Sequence, residues 1–219
     1  MIQLVNTSLI GQFSGQLQVI LHRASAAFPL LSRTAIICDL GTAKTTLSRM
    51  LQNVDAPNRG HILNHAQLSP TLGNTRGFNP YLSGSENVQL LARIMGYDPC
   101  NTFAFVNTFS ALGPDLDVAV RLLPASKRAK IGYAFSYATR FPYYLAEDSV
   151  GASDDDFKLK CDAMLELRLQ NAGLIFLTAQ IAAAEKYANR FYAFTLGRLF
   201  LCASARDAFD LVQLGNSRH

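Results

Sequence analysis

Short apolar runs alternate with helix-like periodicity along most of the chain. β-Branched and aromatic residues predict buried strands at about Thr34–Cys38, at residues 143–148 (YYLAED) and at residues 173–180 (GLIFLTAQ). Between these strands, the spacing of apolar positions predicts a helix from Lys44 to about Gln52 and another over residues 154–170, which begins with aspartates. Buried strands separated by helices are typical of an α/β domain with a mostly parallel sheet.

The two ends and the middle of the chain depart from this alternation. Residues 1–21 alternate loosely between apolar and polar positions, which predicts short strands, and residues 190–204 predict a closing hairpin. The middle is mainly helical in pattern, and SENVQLLARIMG predicts a helix with Ser85 as its N-cap. We therefore expect a single domain over residues 1–219, with an N-terminal antiparallel β part and an inserted helical subdomain at about 80–140.

Composition narrows the class of protein. Hydrophobic residues make up 49% and charged residues 16% of the chain, which is typical of a globular protein. The net charge of +4 comes without a dense stripe of lysine and arginine, so we expect no nucleic-acid partner. The four cysteines are far apart, which favours a reducing compartment over a disulfide framework. No signal peptide or apolar run of membrane-spanning length is evident, so a membrane connection is expected through a partner.

One stretch, CDLGTAKT at residues 38–45, carries candidate chemistry. A phosphate-binding loop has the form Gly-x-x-x-x-Gly-Lys-Ser/Thr between a strand and a helix, and its glycines let backbone N–H groups turn toward phosphates. Lys44 and Thr45 occupy the last two positions, but Cys38 and Ala43 replace the two glycines. The stretch alone leaves two interpretations open: a phosphate site, or an ordinary strand–turn–helix with a solvated lysine.

The rest of the chain resembles the ATP-binding subunits of ABC transporters, in particular the short ones that drive export of capsular polysaccharide or O-antigen. The most specific match is GFNPYLSGSEN at residues 77–87, which is similar to the NP-x-L-T-G-x-E-N segment of this exporter group. Residues 143–161 resemble the Walker B strand, its acidic end, the D-loop and the stretch that follows it, and residues 195–212 resemble the closing hairpin and helix. The resemblance covers nearly the whole chain and implies the P-loop NTPase (ABC ATPase) fold.

The resemblance also implies ATP and Mg²⁺ as cofactors and assigns roles to residues of this chain. Glu147 and Asp148 take the catalytic Walker B positions, and Thr45 and Glu147 take the metal-binding positions. The implied nucleotide-binding residues are Asp39, Leu40, Gly41, Thr42, Ala43, Lys44, Thr45 and Thr46. The implied partners are an integral-membrane permease subunit and a second copy of the chain. The expected location is cytoplasmic, peripheral on the inner face of the cell membrane.

Several family motifs are altered in this sequence. The signature Leu-Ser-Gly-Gly-Gln, which binds the γ-phosphate held by the other subunit, is LPASK at residues 123–127. Pro124 removes the serine hydroxyl and a backbone donor. The Walker B pair, normally Asp then Glu, is Glu147 then Asp148, so the carboxylate at the base position is one methylene shorter. Such misplacement of a reacting group lowers the rate by about a hundredfold.

Three further positions of this sequence can be compared with the family motifs. Ala179 stands where the switch histidine is expected, and Asn74 is the nearest polar residue to the glutamine-loop position. Asp154 matches the D-loop position. The altered motifs affect both faces of the composite site that two such subunits form, so we expect hydrolysis to be impaired.

Three functions remain possible from the sequence. The chain is an ATPase subunit that powers polysaccharide export with weak turnover, or a pseudo-ATPase that acts as a scaffold or regulator of such an exporter. The third possibility is an unrelated P-loop enzyme such as a small-molecule kinase. That alternative requires a substrate lid and gives no reason for the segment at residues 77–87 or for the D-loop match.

Overall fold

The computed structural model describes residues 1–13, 16–38, 41–151 and 154–217. The strands are β1 Ile2–Phe13, β2 Gln16–Phe28, β3 Arg33–Ile37, β4 Arg59–Asn64, β5 Leu68–Thr71, β6 Tyr143–Glu147, β7 Gly173–Thr178, β8 Arg190–Thr195 and β9 Arg198–Cys202. The α-helices are α1 Gly41–Leu51, α2 Gly84–Ile94, α3 Pro99–Ser110, α4 Ala125–Ala138, α5 Asp155–Leu169, α6 Ile181–Tyr187 and α7 Ala205–Asn216. Short 3₁₀ turns lie at Gly113–Asp117 and Val120–Leu122.

The strands form two sheets. The first is antiparallel, in the order β2-β1-β4. The second has the order β5-β6-β7-β3-β8-β9, in which β6, β7, β3 and β8 run parallel and β9 pairs antiparallel with β8. The predicted mostly parallel sheet and N-terminal antiparallel part are therefore confirmed. Among the described residues, no helix has the length and hydropathy needed to cross a membrane.

The described residues group into two compact units. The first comprises 1–69, 141–149 and 169–219, and the second comprises 70–140 and 150–168. In the first unit, strands β6 and β7 are almost continuously apolar because the middle of a parallel sheet is covered on both faces. In the second unit, side chains of α2, α3 and α4 share one apolar cluster. The domain count and the limits of the helical subdomain stay predictions.

The start of α2 differs from the prediction. The N-cap is Ser83, not Ser85: the Ser83 hydroxyl accepts a hydrogen bond from the Glu86 N–H at 3.1 Å. The Glu86 carboxylate in turn accepts from the Ser83 N–H at 2.7 Å. This reciprocal pairing requires a glutamate three residues after the cap, and only Ser83 of the two serines has one.

Asn87 explains why the segment at residues 77–87 carries such a specific pattern. Its side chain is fully buried. The side-chain amide donates to the carbonyls of Asn79 and Ser83 at 2.9 and 2.8 Å, and its oxygen accepts from the Asn79 N–H at 2.6 Å. The asparagine thus satisfies backbone groups at both ends of the turn that leads into α2, which is a structural role.

Three other elements differ from the sequence prediction. The N-terminal strands β1 and β2 are longer than the short strands expected there. Strand β5, at Leu68–Thr71, was not predicted. Helix α6 was not predicted, because a segment of seven residues that is rich in alanine gives no clear helical periodicity.

Candidate functional site

The carboxyl ends of three parallel strands meet at one edge of the large sheet. In the register of the sheet, Leu177 of β7 lies beside Ile36 of β3 on one side and Glu147 of β6 on the other. The backbone continues this alignment beyond the strands, because the Cys38 N–H donates to the Thr178 carbonyl at 3.1 Å. Ligands of open α/β sheets bind at this kind of edge.

Helix α1 directs Lys44 to that edge. Lys44, Leu47 and Leu51 lie on one face of the helix, at the i, i+3 and i+7 spacing, and all three are buried. The two leucines belong to the apolar cluster of the first unit. The lysine therefore runs its aliphatic stem along the core and presents its ammonium group at the end of the stem.

The Lys44 ammonium is bound by a carboxylate. Its Nζ atom lies 2.5 Å from Oδ2 of Asp148, and the side chains are 10% and 49% exposed, respectively. A charge-assisted hydrogen bond of this kind is among the stronger side-chain interactions. Two sequence-predicted site residues, 104 positions apart in the chain, are thus in direct contact.

Asp148 sits in a tight turn just after β6. Its backbone has a φ of +54°, in the left-handed region that aspartate and asparagine tolerate better than most residues. The Ser149 N–H donates to the Glu147 carbonyl at 2.6 Å across the turn, and the Asp148 N–H donates to the Leu177 carbonyl at 2.8 Å. These bonds fix the backbone from which the carboxylate extends.

The other candidate metal and phosphate ligands are sequence neighbours of Lys44 or of Asp148. Thr45 and Thr46 follow Lys44 in α1 and are half-buried, and Glu147 is the half-buried last residue of β6. Hydroxyl and carboxylate oxygens are the ligands that Mg²⁺ prefers in proteins. The residue types present in this chain therefore fit a magnesium ion that accompanies a phosphate.

The start of α1 corrects one prediction. The sequence predicts a helix from Lys44, whereas the helix begins at Gly41, so Gly41, Thr42 and Ala43 form its first turn. Alanine favours helix, and the missing glycines remove the freedom for a wider loop. The first N–H groups of a helix lack partners within it and attract anions. Asp39 and Leu40 lie outside the described residues.

The residues at the other altered motifs make contacts that support the local structure. Pro124 precedes α4, and the Lys127 ammonium at the end of the signature position lies 2.7 Å from the Asp115 carboxylate. Ala179, in the position of the switch histidine, is half-buried after β7. The Asn74 side-chain oxygen accepts from the Arg76 N–H at 2.8 Å, which closes a local turn.

Asp154, at the D-loop position, caps helix α5. Its carboxylate accepts from the Phe157 N–H at 2.9 Å and from the Lys130 ammonium at 3.0 Å. The backbone hydrogen bond from Phe157, followed by the bond from Lys130, lowers the pKa of Asp154 below its usual value. Neither this pair nor the Lys44–Asp148 pair is predictable from the sequence, because charges far apart in the chain give no local signal of contact.

The fold defines the class of protein, since solved structures of ABC ATP-binding cassettes superpose on this chain. The cassette MJ0796, in a post-hydrolysis state bound to ADP and Pi, matches with a TM-score of 0.75 and 16% identity, over 91% of this chain and 96% of its own. An ATP-binding subunit of an ABC transporter matches with a TM-score of 0.80 and 16% identity, over 97% and 99%. The predicted ABC ATPase fold is confirmed.

Sequence comparisons identify the family within that class. The polysialic acid transport ATP-binding protein KpsT of Escherichia coli is 30% identical over 164 residues, which are 74% of this chain and 75% of KpsT. The capsule polysaccharide export ATP-binding protein CtrD of Neisseria meningitidis serogroup B is 25% identical over 193 residues, 88% and 89% of the two chains. No family model matches the sequence. The chain belongs to the family of ATP-binding proteins of polysaccharide-exporting ABC transporters.

Proposed function

We propose that this chain is the ATP-binding subunit of an ABC exporter of polysaccharide and that it binds Mg-ATP at the first turn of α1. The observation that carries the proposal is the buried Lys44 ammonium at the edge of the sheet, already held to an anionic oxygen at 2.5 Å. The carboxylate of Asp148 stands in for a phosphate oxygen, since both are anionic acceptors.

Each site residue has a role in this proposal. Lys44 binds the terminal phosphates, and the N–H groups from Gly41 onward face them as the positive end of the helix. Thr45 and Glu147 hold the magnesium ion, which neutralises phosphate charge when bound. Thr46 follows Thr45 on α1 and completes the binding segment. The proposed binding segment comprises Asp39, Leu40, Gly41, Thr42, Ala43, Lys44, Thr45 and Thr46.

Hydrolysis by this chain is proposed to be weak. The carboxylate at the base position, Asp148, has its Oδ2 atom bound to the Lys44 ammonium, so this oxygen is engaged by a cation and not by an attacking water molecule. Pro124 supplies neither a hydroxyl nor an N–H to a partner's phosphate, and Ala179 supplies no imidazole. Removing one donor that stabilises transition-state charge lowers a rate by about a hundredfold to a thousandfold.

A pseudo-ATPase is the second candidate, and the same ion pair favours it. If Asp148 stays on Lys44 when nucleotide is bound elsewhere along α1, neither residue takes part in phosphoryl transfer. The chain then binds nucleotide, or none, and serves as a scaffold or regulator of the exporter. The two candidates differ in turnover that depends on Lys44.

The second unit offers a surface for the proposed permease partner. The Tyr81 ring is 76% exposed, and the Arg121 guanidinium lies 5.6 Å from its centroid. Leu122 beside Arg121 is also exposed, whereas Met95 packs against the apolar cluster of the second unit. Exposed aromatic and arginine residues are enriched at interfaces. The subunit is further proposed to work as a homodimer on the inner face of the cell membrane, which is supported by its transporter relatives and by the dimeric structure of the cassette MJ0796.

Calorimetric titration of the full chain with ATP and Mg²⁺, combined with a phosphate-release assay, tests the proposal. Saturable binding that Lys44→Ala abolishes is expected. Slow phosphate release that also disappears in Lys44→Ala supports the ATPase, and binding without Lys44-dependent release supports the pseudo-ATPase. The absence of binding to ATP or ADP would reject the proposed nucleotide site and the ATPase, and would leave only a scaffold that binds no nucleotide.

A further inference from the structure

We infer that Asp148 is an internal competitor of the nucleotide: its carboxylate binds the Lys44 ammonium and must be displaced by phosphate when ATP binds. The inference rests on the proposed nucleotide site and adds the residue that sets its affinity. The contact that carries it is the Nζ–Oδ2 distance of 2.5 Å between Lys44 and Asp148.

The position of Lys44 explains why it requires an anion. Its side chain is nine-tenths buried, and an ammonium that leaves water without a partner is strongly unfavourable. Lys44 is also the fourth residue of α1, where the positive end of the helix dipole disfavours a cation. Either a phosphate or a carboxylate of the chain itself must therefore balance this charge.

The position of Asp148 explains why it supplies that anion. The turn at residues 147–149 is closed by the Ser149–Glu147 backbone bond at 2.6 Å, and the Asp148 N–H is anchored to β7 at 2.8 Å. Asp148 also takes a φ of +54°, a conformation that aspartate tolerates better than most residues and that these two bonds stabilise. The carboxylate is thus placed on Lys44 in advance, with little entropy left to lose.

Two consequences follow for the nucleotide site. A phosphate gains the Lys44 ammonium only by breaking an existing charge-assisted bond, so the affinity of the chain is reduced by the free energy of that bond. The displaced carboxylate is half exposed and is rehydrated on leaving, so the exchange remains feasible. The same exchange frees Asp148 to face the phosphate.

The test is the affinity of wild type and Asp148→Asn for a non-hydrolysable β,γ-imido analogue of ATP, measured by calorimetry with Mg²⁺ and again with a chelator. Asparagine tolerates positive φ, so the turn is retained while the competing charge is lost. We expect the analogue to bind Asp148→Asn about tenfold more tightly, a change typical of one charged hydrogen bond.

Three controls make the result specific. Glu185→Gln removes an exposed carboxylate from α6 in the same unit and is expected to leave the affinity unchanged. Asp148→Glu keeps the charge and is expected to gain little. Lys44→Met combined with Asp148→Asn removes the ammonium, and the gain should disappear. Circular dichroism of each variant establishes that it is folded.

The outcomes separate the inference from the function on which it rests. Binding by Asp148→Asn that is equal to or weaker than that of wild type overturns the inference and leaves the proposed site intact. An equal gain in Glu185→Gln also overturns it, because the effect would then be one of net charge. Folded variants that all fail to bind the analogue, wild type included, reject the nucleotide site itself.

Discussion

Two lysine–aspartate pairs in this molecule are chemically alike but differ in what they do. Lys44 and Asp148 of the first unit are 2.5 Å apart, and Lys130 and Asp154 of the second unit are 3.0 Å apart. The aspartates have nearly equal exposure, 49% and 47%, whereas the lysines are 10% and 22% exposed. Because Lys44 is more buried than Lys130, its charge depends more strongly on the partner carboxylate.

The surroundings of the two aspartates show the difference in role. Asp154 accepts the Phe157 N–H at the start of α5, so its position is determined by helix capping and Lys130 adds to it. Asp148 follows a strand and extends toward the lysine of another element. One aspartate caps its own helix, and the other neutralises the buried ammonium at the proposed phosphate site. Opposite-charge contact alone therefore does not identify a site.

The largest effect that distinguishes the pairs is on nucleotide affinity. Lys44→Met removes the ammonium and keeps the stem that packs along α1, and we expect the affinity for ATP to fall about a hundredfold. The matched change Lys130→Met should leave the affinity unchanged. Calorimetric titration of both variants measures the effect, and an equal loss in the two would mean that Lys44 has no special role.

The second effect is on the stability of the unliganded chain. Asp148→Asn leaves the buried Lys44 ammonium without its counter-charge, and we expect a loss of about 1 to 2 kcal/mol in the free energy of unfolding. The half exposure of Asp148 keeps the loss below that of a fully buried pair. Asp154→Asn, in which asparagine still caps α5, should change stability less in the same urea titrations. The reverse order would contradict the difference in role.

The third effect is on the thermal stability that the Asp154 cap of α5 provides. Asp154→Ala removes the acceptor of the Phe157 N–H and should lower the Tm by a few degrees. Asp154→Asn restores an acceptor and should recover most of the loss. Differential scanning calorimetry of both variants provides the measurement, and an alanine variant as stable as wild type would show that the cap is unimportant.

The smallest effect is a dependence on acid pH. The pKa of Asp154 is lowered from the ordinary 3.8 by the Phe157 N–H and Lys130, so the folded state favours the ionised carboxylate. Its contribution to stability is present above about pH 3.8 and is lost as the pH falls through the lower pKa of the folded state. The Tm advantage of wild type over Asp154→Asn should therefore shrink on acidification. A Tm difference between the two proteins that stays constant as the pH falls below about 3.8 would contradict this role of the Asp154 carboxylate.

Much of the fold could be predicted from the sequence. Buried strands of the large sheet, such as residues 173–178, are continuous apolar runs with a single interpretation in an α/β protein. The N-cap of α2 was assigned to Ser85 although the glutamate three residues after Ser83 identifies the correct serine. The early start of α1 at Gly41 was missed because the family pattern suggested a loop there.

The candidate site was predictable only in part. Lys44, Glu147 and Asp148 could be singled out from their motifs, but what each binds depends on contacts across the sheet. The pairing of Lys44 with Asp148 depends on the register of β6, β7 and β3, which brings three strand ends together. The role of the buried Asn87 side chain likewise depends on the turn that it closes, and no local sequence pattern predicts that turn.

A crystal structure of the chain with Mg²⁺ and the non-hydrolysable ATP analogue tests the central claim most directly. We predict a phosphate oxygen within hydrogen-bonding distance of the Lys44 ammonium, and the Asp148 carboxylate turned away from it. An analogue bound elsewhere, with the Lys44 ammonium and the Asp148 carboxylate still 2.5 Å apart, would contradict the claim.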